Sequence, residues 1–405
     1  MFQNNLLMGA AAATSGGASV VSVGNSALFS ATNESLSRSQ GSGSNTVWTF
    51  SSWIYKCESK NQVFLQSGGS PAGQLGWDTS DRLYIYNGAT VVALTTQVFR
   101  DIGWYHIHIA YNTSASGTAR VKLSVNGSLV SVFTTDNRSS ASAFNGMNQS
   151  GQTLTVGNNG STGDTICLSG YMAETVLLDG TAAKSTSFGA YDSSGLYWTP
   201  LSSTTIKALT FGTNGFYLDN TTNAQTDASG EGNNFTNNNT VTTVSTHTPT
   251  LLNNLWNPLV TLYNGSTFSN GNRTVVTGTS EYSSVQTTIP IYTGKWYCEI
   301  VPQSSEASKL IGLTKGLATA SNQPLGTLAN DVGYYGNGNL YMNGASAVSY
   351  GATYAEDDVM GMAINLDDNQ LTYYKNGASQ GVINLPAAST VNTPYFVACA
   401  HWWGA

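Results

Sequence analysis

Charge is what this sequence has least of. Asp, Glu, Lys and Arg together supply 9% of its 405 residues, against about 25% in an ordinary globular protein. The 15 basic residues are scattered and the formal net charge is −7. With no Lys/Arg cluster to neutralise phosphates, nucleic acid is not expected as a partner. Long apolar runs are also lacking. None approaches the ~20 residues of a membrane-spanning helix, so no membrane insertion is expected. Only four cysteines occur, Cys57, Cys167, Cys298 and Cys399. None forms Cys-x-x-Cys, and each lies in an apolar, strand-like run where a free thiol behaves as a small hydrophobe. Free thiols are expected, since a chain of this length needs no disulfide staples. The first ionisable side chain is Glu34. The opening "MFQNNLLMGAAAATSGGASV" therefore lacks the basic region of a signal peptide. It reads as an uncharged arm, residues 1–19, that docks on another protein.

Catalytic patterns are equally thin. No phosphate-cradling loop is recognisable. No Glu-x-Asp-x-Glu strand of a sandwich glycosidase is present, so a polysaccharide-cleaving carboxylate pair is not expected. The reading is of a protein that is not an enzyme and holds no cofactor, with calcium the one ion left open. Asp78 and Asp81, in "WDTSD", are its weak candidates, two acidic side chains that could act with backbone oxygens. His106 and His108 share one face of a strand, a spacing that can begin a zinc site. No third ligand is evident beside them, and a structural role is the preferred reading. Trp48, Trp53, Trp104 and Trp296 fall in strand motifs and read as core. Trp77, Trp402 and Trp403 lie nearer loops or the chain end, and are the candidates for sugar stacking or a subunit contact.

Ser, Thr, Asn and Gly stand where Lys and Glu usually cover a surface, and these residues suit sheets and turns better than helices. Met360, Met362, Ile364 and Leu366 alternate with small or polar residues, the period of a half-buried strand. Asn-Gly closes the hairpins "RLYIYNG", "KLSVNG", "NLYMNG" and "QLTYYKNG", and it is the strongest short hairpin signal. The pattern occurs twice in each half. The fold class expected is all-β, two concanavalin-like antiparallel β-sandwich (jelly-roll) domains. The first spans 20–190 and the second 257–405. Residues 191–256, dense in Asn, Thr and Gly, read as an irregular connector.

Particular motifs carry resemblances. "WTFSSWIY", "DIGWYHIHIAYN", "VKLSVNGSLV", "LTVGNN" and "LSGYMAETVLLDG", in that order, resemble the laminin-G-like, concanavalin-like lectin family. "GKWYCEI", "IGLT", "GYYGNGNLYMNG", "DDVMGMAINLDDNQLTYYKNG" and "PYFVACA" resemble the SPRY family, without the PRY segment of its immune members. That resemblance implies a further strand after Ala405, so the second sandwich is expected to be truncated and Trp402 and Trp403 to need cover. "TNGFYLD", "DASGEGNNFT" and "THTPT" resemble the joint in fibre and appendage proteins of tailed bacteriophages. Together the resemblances imply a virion surface protein assembled in a host cytoplasm. It would be a fibre or appendage held to other virion proteins by the N-terminal arm, homo-oligomeric, and binding a host-surface glycan or protein without catalysis. A capsid decoration protein, a secreted lectin or adhesin, and a polysaccharide depolymerase are the alternatives.

Overall fold

The computed structural model describes residues 2–5, 21–30, 33–160, 166–193, 195–251, 254–262, 266–277, 283–303, 308–316 and 325–401. The chain divides into two compact units, residues 16–252 and residues 1–15 with 253–405. Their strand ladders are antiparallel, and each unit is a β-sandwich. All four cysteines are buried and free.

Two eight-stranded sheets form the first unit. One is centred on Val47–Lys56, flanked by Trp104–Asn112 and Gly170–Asp179. The other runs in the order Phe133–Asp136, Thr90–Val98, Arg82–Asn87, Gly73–Trp77, Gln62–Ser67, Thr153–Val156, Ser35–Ser39, Thr236–Asn238. Side chains two apart share a face of a strand. Trp48, Phe50 and Ile54 therefore meet Leu75, Trp77, Ile85 and Leu154 in one core. Trp48 stacks on Tyr111 at 4.9 Å between ring centroids. Each such large apolar side chain taken from water contributes about 1.5–3 kcal/mol.

The alternate residues of the first sheet, among them Trp53, His106, Val176 and Leu178, point away from that core and are nevertheless buried. Residues beyond 181 cover them. Phe188, Ile206 and Phe211 pack on Val176 and Leu178, and Trp198 packs beside Trp53 and Trp104. We call this the covered sheet. The second sheet has no such layer over its outer face among the described residues, and we call it the open sheet.

Most of the stretch read from sequence as a connector, residues 191–252, is thus part of the first unit, whereas Trp256 enters the core of the second. Phe216–Leu218 pairs with Gly170–Asp179, Thr236–Asn238 with Ser35–Ser39, and Thr242–Val244 with Ser26–Phe29. Its Asn/Asp density has a structural cause. Asp227 Oδ1 accepts from the backbone N–H of Tyr217 and of Ser229. Asn233 Nδ2 donates to the carbonyls of Thr213 and Gly215. Side chains supply the bonds that a regular ladder would otherwise make.

The second unit holds two seven-stranded sheets. Met360, Met362 and Ile364 enter its core as the alternation implies, with Tyr334, Tyr354 and Tyr373 beside them. The Tyr354 hydroxyl donates to the carbonyls of Lys309 and Tyr334, which satisfies a buried polar group. One expectation changes here. Phe2–Asn5, within the stretch read as a docking arm, is a strand between Thr274–Val276 and Lys295–Pro302 of this unit. Phe2 and Gln3 are paired on both sides, and Asn4 and Asn5 lie opposite Ile300 and Glu299. Phe396–His401 is flanked by Ser283–Thr287 and Lys309–Thr314. Trp402 and Trp403 lie outside the described residues.

Candidate functional site

Trp77, a candidate sugar platform, is not on the surface. Parity decides this: Trp77 shares the inward face of Gly73–Trp77 with Leu75, and both are fully buried. Its ring meets Phe64 edge-on at 5.2 Å. The calcium candidates are not brought together either. Asp78 Oδ2 accepts a forked pair from Arg82, Nε at 2.9 Å and Nη2 at 2.6 Å. Its Oδ1 accepts the backbone N–H of Ser80 and of Arg82. Burial alone would raise the Asp78 carboxyl, but these Arg82 and Ser80 bonds hold it below the usual range. Asp81 is buried and accepts from Lys56 Nζ and Ser59 Oγ. Each carboxylate already has its own cation, and a calcium ion would have to displace both.

The histidine pair has a structural role. Trp198 Nε1 can only donate, and it does so to His106 Nδ1 at 3.0 Å. His106 is therefore the Nε2–H tautomer, donating to Ser51 Oγ at 2.9 Å. His108 Nε2 donates to the Ala183 carbonyl at 3.1 Å. Burial, with His108 adding repulsion, drives the His106 pKa down to about 3. Burial likewise takes His108 to about 4, against the pull of the Ala183 carbonyl. Both rings are neutral pins that hold the covering layer on its sheet.

The open sheet carries the feature with the most chemistry. Tyr86 lies opposite Gln74, Gln74 opposite Gln66, and Gln66 opposite Thr155. Thr155 lies opposite Ser37, and Ser37 opposite Thr236. Residues in register point to one face, and the inward residues of these strands are Leu75, Leu154 and Leu36. Six uncharged side chains thus form one row on the outer face, perpendicular to the strands. The row crosses five inter-strand steps, about 24 Å at the usual sheet spacing.

Two grooves follow the row. The first, of about 570 Å³, is lined by Gln66, Gln74, Gln152, Thr153, Thr155 and Asn159, with Gly68, Gly69 and Gly160 at its margin. The second, of about 540 Å³, is lined by Asn33, Ser35, Ser37, Asn158 and Asn237–Asn239 together with Thr153, Thr155 and Gly160. None of the described residues lining either groove is charged. Gln74 Nε2 donates to Gln66 Oε1 at 2.7 Å, and Asn238 Nδ2 donates to Ser37 Oγ at 3.0 Å. These bonds fix the orientation of the side chains. Tyr86, stacked on Tyr84 at 4.4 Å, closes the row with a half-buried ring. The arrangement offers hydrogen-bond donors and acceptors in series, an aromatic face, and no acid or base.

None of these row residues was singled out in the sequence. Their strands were visible, but the row joins positions 37, 66, 74, 86, 155 and 236, and only the sheet order places them side by side.

No family model matches the chain. Among solved structures, a human SPRY domain is similar at 20% identity and a TM-score of 0.26, over 31% of this chain and 82% of that one. A candidate carbohydrate-binding protein from Bacteroides ovatus is similar at 15% identity and a TM-score of 0.41, over 56% of this chain and 62% of that one. A heptameric, SAP-like pentraxin from Limulus polyphemus is similar at 13% identity and a TM-score of 0.31, over 41% and 80%. All three scores are low, and the sandwich architecture rests on the strand ladders themselves.

Proposed function

We propose that this chain binds glycan through the outer face of its open sheet, without catalysis, as a fibre or fibre-like appendage on the surface of a tailed-phage particle. The uncharged cross-strand row carries the binding half of the reading. Sugar hydroxyls both donate and accept, and Gln, Asn, Ser and Thr match them without charge. A half-buried tyrosine offers a face to the apolar side of a pyranose ring. No carboxylate stands among the described groove residues to act as acid or base. The virion setting is supported by the phage-like strings of residues 213–250. Four buried, free cysteines agree with assembly in a reducing cytoplasm. Burial raises the Cys298 thiol to about 12, and burial also raises Cys57 and Cys399, so these three are inert.

Glycan arrays and isothermal titration with host-surface polysaccharide test the binding. Gln66→Ala and Gln74→Ala should each weaken it by roughly five-fold, the worth of about 1 kcal/mol of hydrogen bonding. Raising salt from about 0.05 to about 0.5 M should change affinity little, because no charged pair is made. Gold-labelled antibody on intact particles locates the protein. Uniform capsid labelling would replace the appendage by a shell protein and leave the binding face in place.

A further inference from the structure

The two grooves adjoin and together make one trough across the Thr153–Val156 strand. Thr153, Thr155 and Gly160 line both, and at the junction Gly160 lies close to Gln66 and Thr155. Resting on the glycan reading above, we infer that the ligand is a linear, uncharged polysaccharide lying across the strands. It fills both grooves at once and presents a hydroxyl or amide N–H to Asn158.

Direction follows from spacing. A chain running across the strands meets a new hydrogen-bonding side chain at every step of about 4.8 Å. A chain running along one strand meets an outward residue only at every second position and soon leaves the grooves. Neutrality follows from the lining. A carboxylate or sulfate entering the trough would lose hydration and find no cation among the described lining residues. Asn158 supplies a further demand. It is 3% exposed, lines the second groove, and its Oδ1 is buried without a hydrogen-bond partner. A side-chain carbonyl oxygen can only accept, so the group that completes it is a donor. Ser37 and Asn238 fix the floor beside it through their mutual bond.

The test titrates the full chain with neutral homopolymers of glucose, galactose, mannose and N-acetylglucosamine, and with polymers of the matching uronic acids. Fragments of two to about eight sugars are then cut from whichever polymer binds. Affinity is expected to climb with length and level off once the extended fragment exceeds about 24 Å. Ser37→Tyr fills the second groove only. It is expected to cost roughly ten-fold with long fragments and nothing with disaccharides seated in the first. Asn238→Tyr is the second variant if Ser37→Tyr does not fold. A disaccharide that binds as tightly as the polymer overturns the trough and keeps the glycan. So does long-fragment affinity unchanged by a folded groove-filling variant. A preference for uronic acid polymers overturns the neutral ligand. Binding to none of the polymers overturns the glycan reading itself.

Discussion

Glu174 sits in the covered sheet with φ of +51°, at a bulge between Ala173 and Val176 where the register with Val47–Lys56 shifts. Its carboxyl is buried and accepts the Tyr217 hydroxyl. Burial raises its pKa to about 7, Asp219 adds to the rise, and the Tyr217 bond and Lys207 oppose it. A carboxyl raised in the fold stabilises fully below its ordinary value near 4.5, and that contribution is lost as pH rises through about 7. His106 has the opposite sign. Its depressed pKa of about 3 means full stability above 6.5, lost as pH falls toward 3. The first unit should therefore weaken on both sides of mildly acidic pH. Glu174→Gln should remove the alkaline loss, on the order of 2 kcal/mol between about pH 5 and pH 8. Urea midpoints at the two pH values measure it; an unchanged alkaline loss in the variant would assign it to another group. Trp77 offers a simpler case. Trp77→Ala should cost about 3–5 kcal/mol in stability, read from the melting of the unit, and not act as a binding variant. Its place at the head of the loop-like "WDTSD" suggested exposure, whereas its parity with Leu75 determines burial.

At the scale of elements, the hairpins were the most legible part of the sequence. Asn126-Gly127 and Asn376-Gly377 both take positive φ and close two-residue loops between Val125 and Ser128 and between Lys375 and Ala378. At Asn87 the turn is one residue later, Gly88-Ala89, because Asn87 itself pairs with Thr90. Two of these glycines make a direct comparison. A Cβ on Gly127 would lie 2.4 Å from the Trp198 ring, whereas one on Gly377 would meet nothing within 4 Å. Gly377→Ala should cost only the left-handed backbone strain, about 1–2 kcal/mol. Gly127→Ala should cost more, because Trp198 must move and its bond to His106 with it. Thermal shifts of the two variants check the order, and equal costs would show that Trp198 yields freely. The same contrast explains what was hidden. Alternation within a strand and a turn at its end are local, so they show in the sequence. The uncharged row and the covering layer depend on which strand lies beside which, and residues 191–251 carry no long alternation because their strands are three residues long.

Over the whole molecule, the placement of that layer sets where the chain can be cut. A protein ending at 190, the boundary that sequence alone suggested, would leave the outward Trp53, Trp104, Val176 and Leu178 without Trp198, Ile206 and Phe211. Exposed apolar surface of that kind drives association. Residues 16–190 should aggregate and residues 16–252 should melt as one cooperative unit, and gel filtration with calorimetry compares them. A soluble, cooperative 16–190 would show that the layer is dispensable. The strand Phe2–Asn5 has a consequence of a different kind, in time. Its partners are Thr274, Val275 and residues 299–302, so the first strand of the second unit is translated before the entire first unit and its partners after it. At ordinary elongation rates the interval is roughly 15 to 60 seconds. During it the first unit can complete its ladders while Phe2–Asn5 has none to join. In ribosome-arrested chains, a protease site placed before Phe2 should be cut readily at a length of about 260 residues and slowly once residue 302 has emerged.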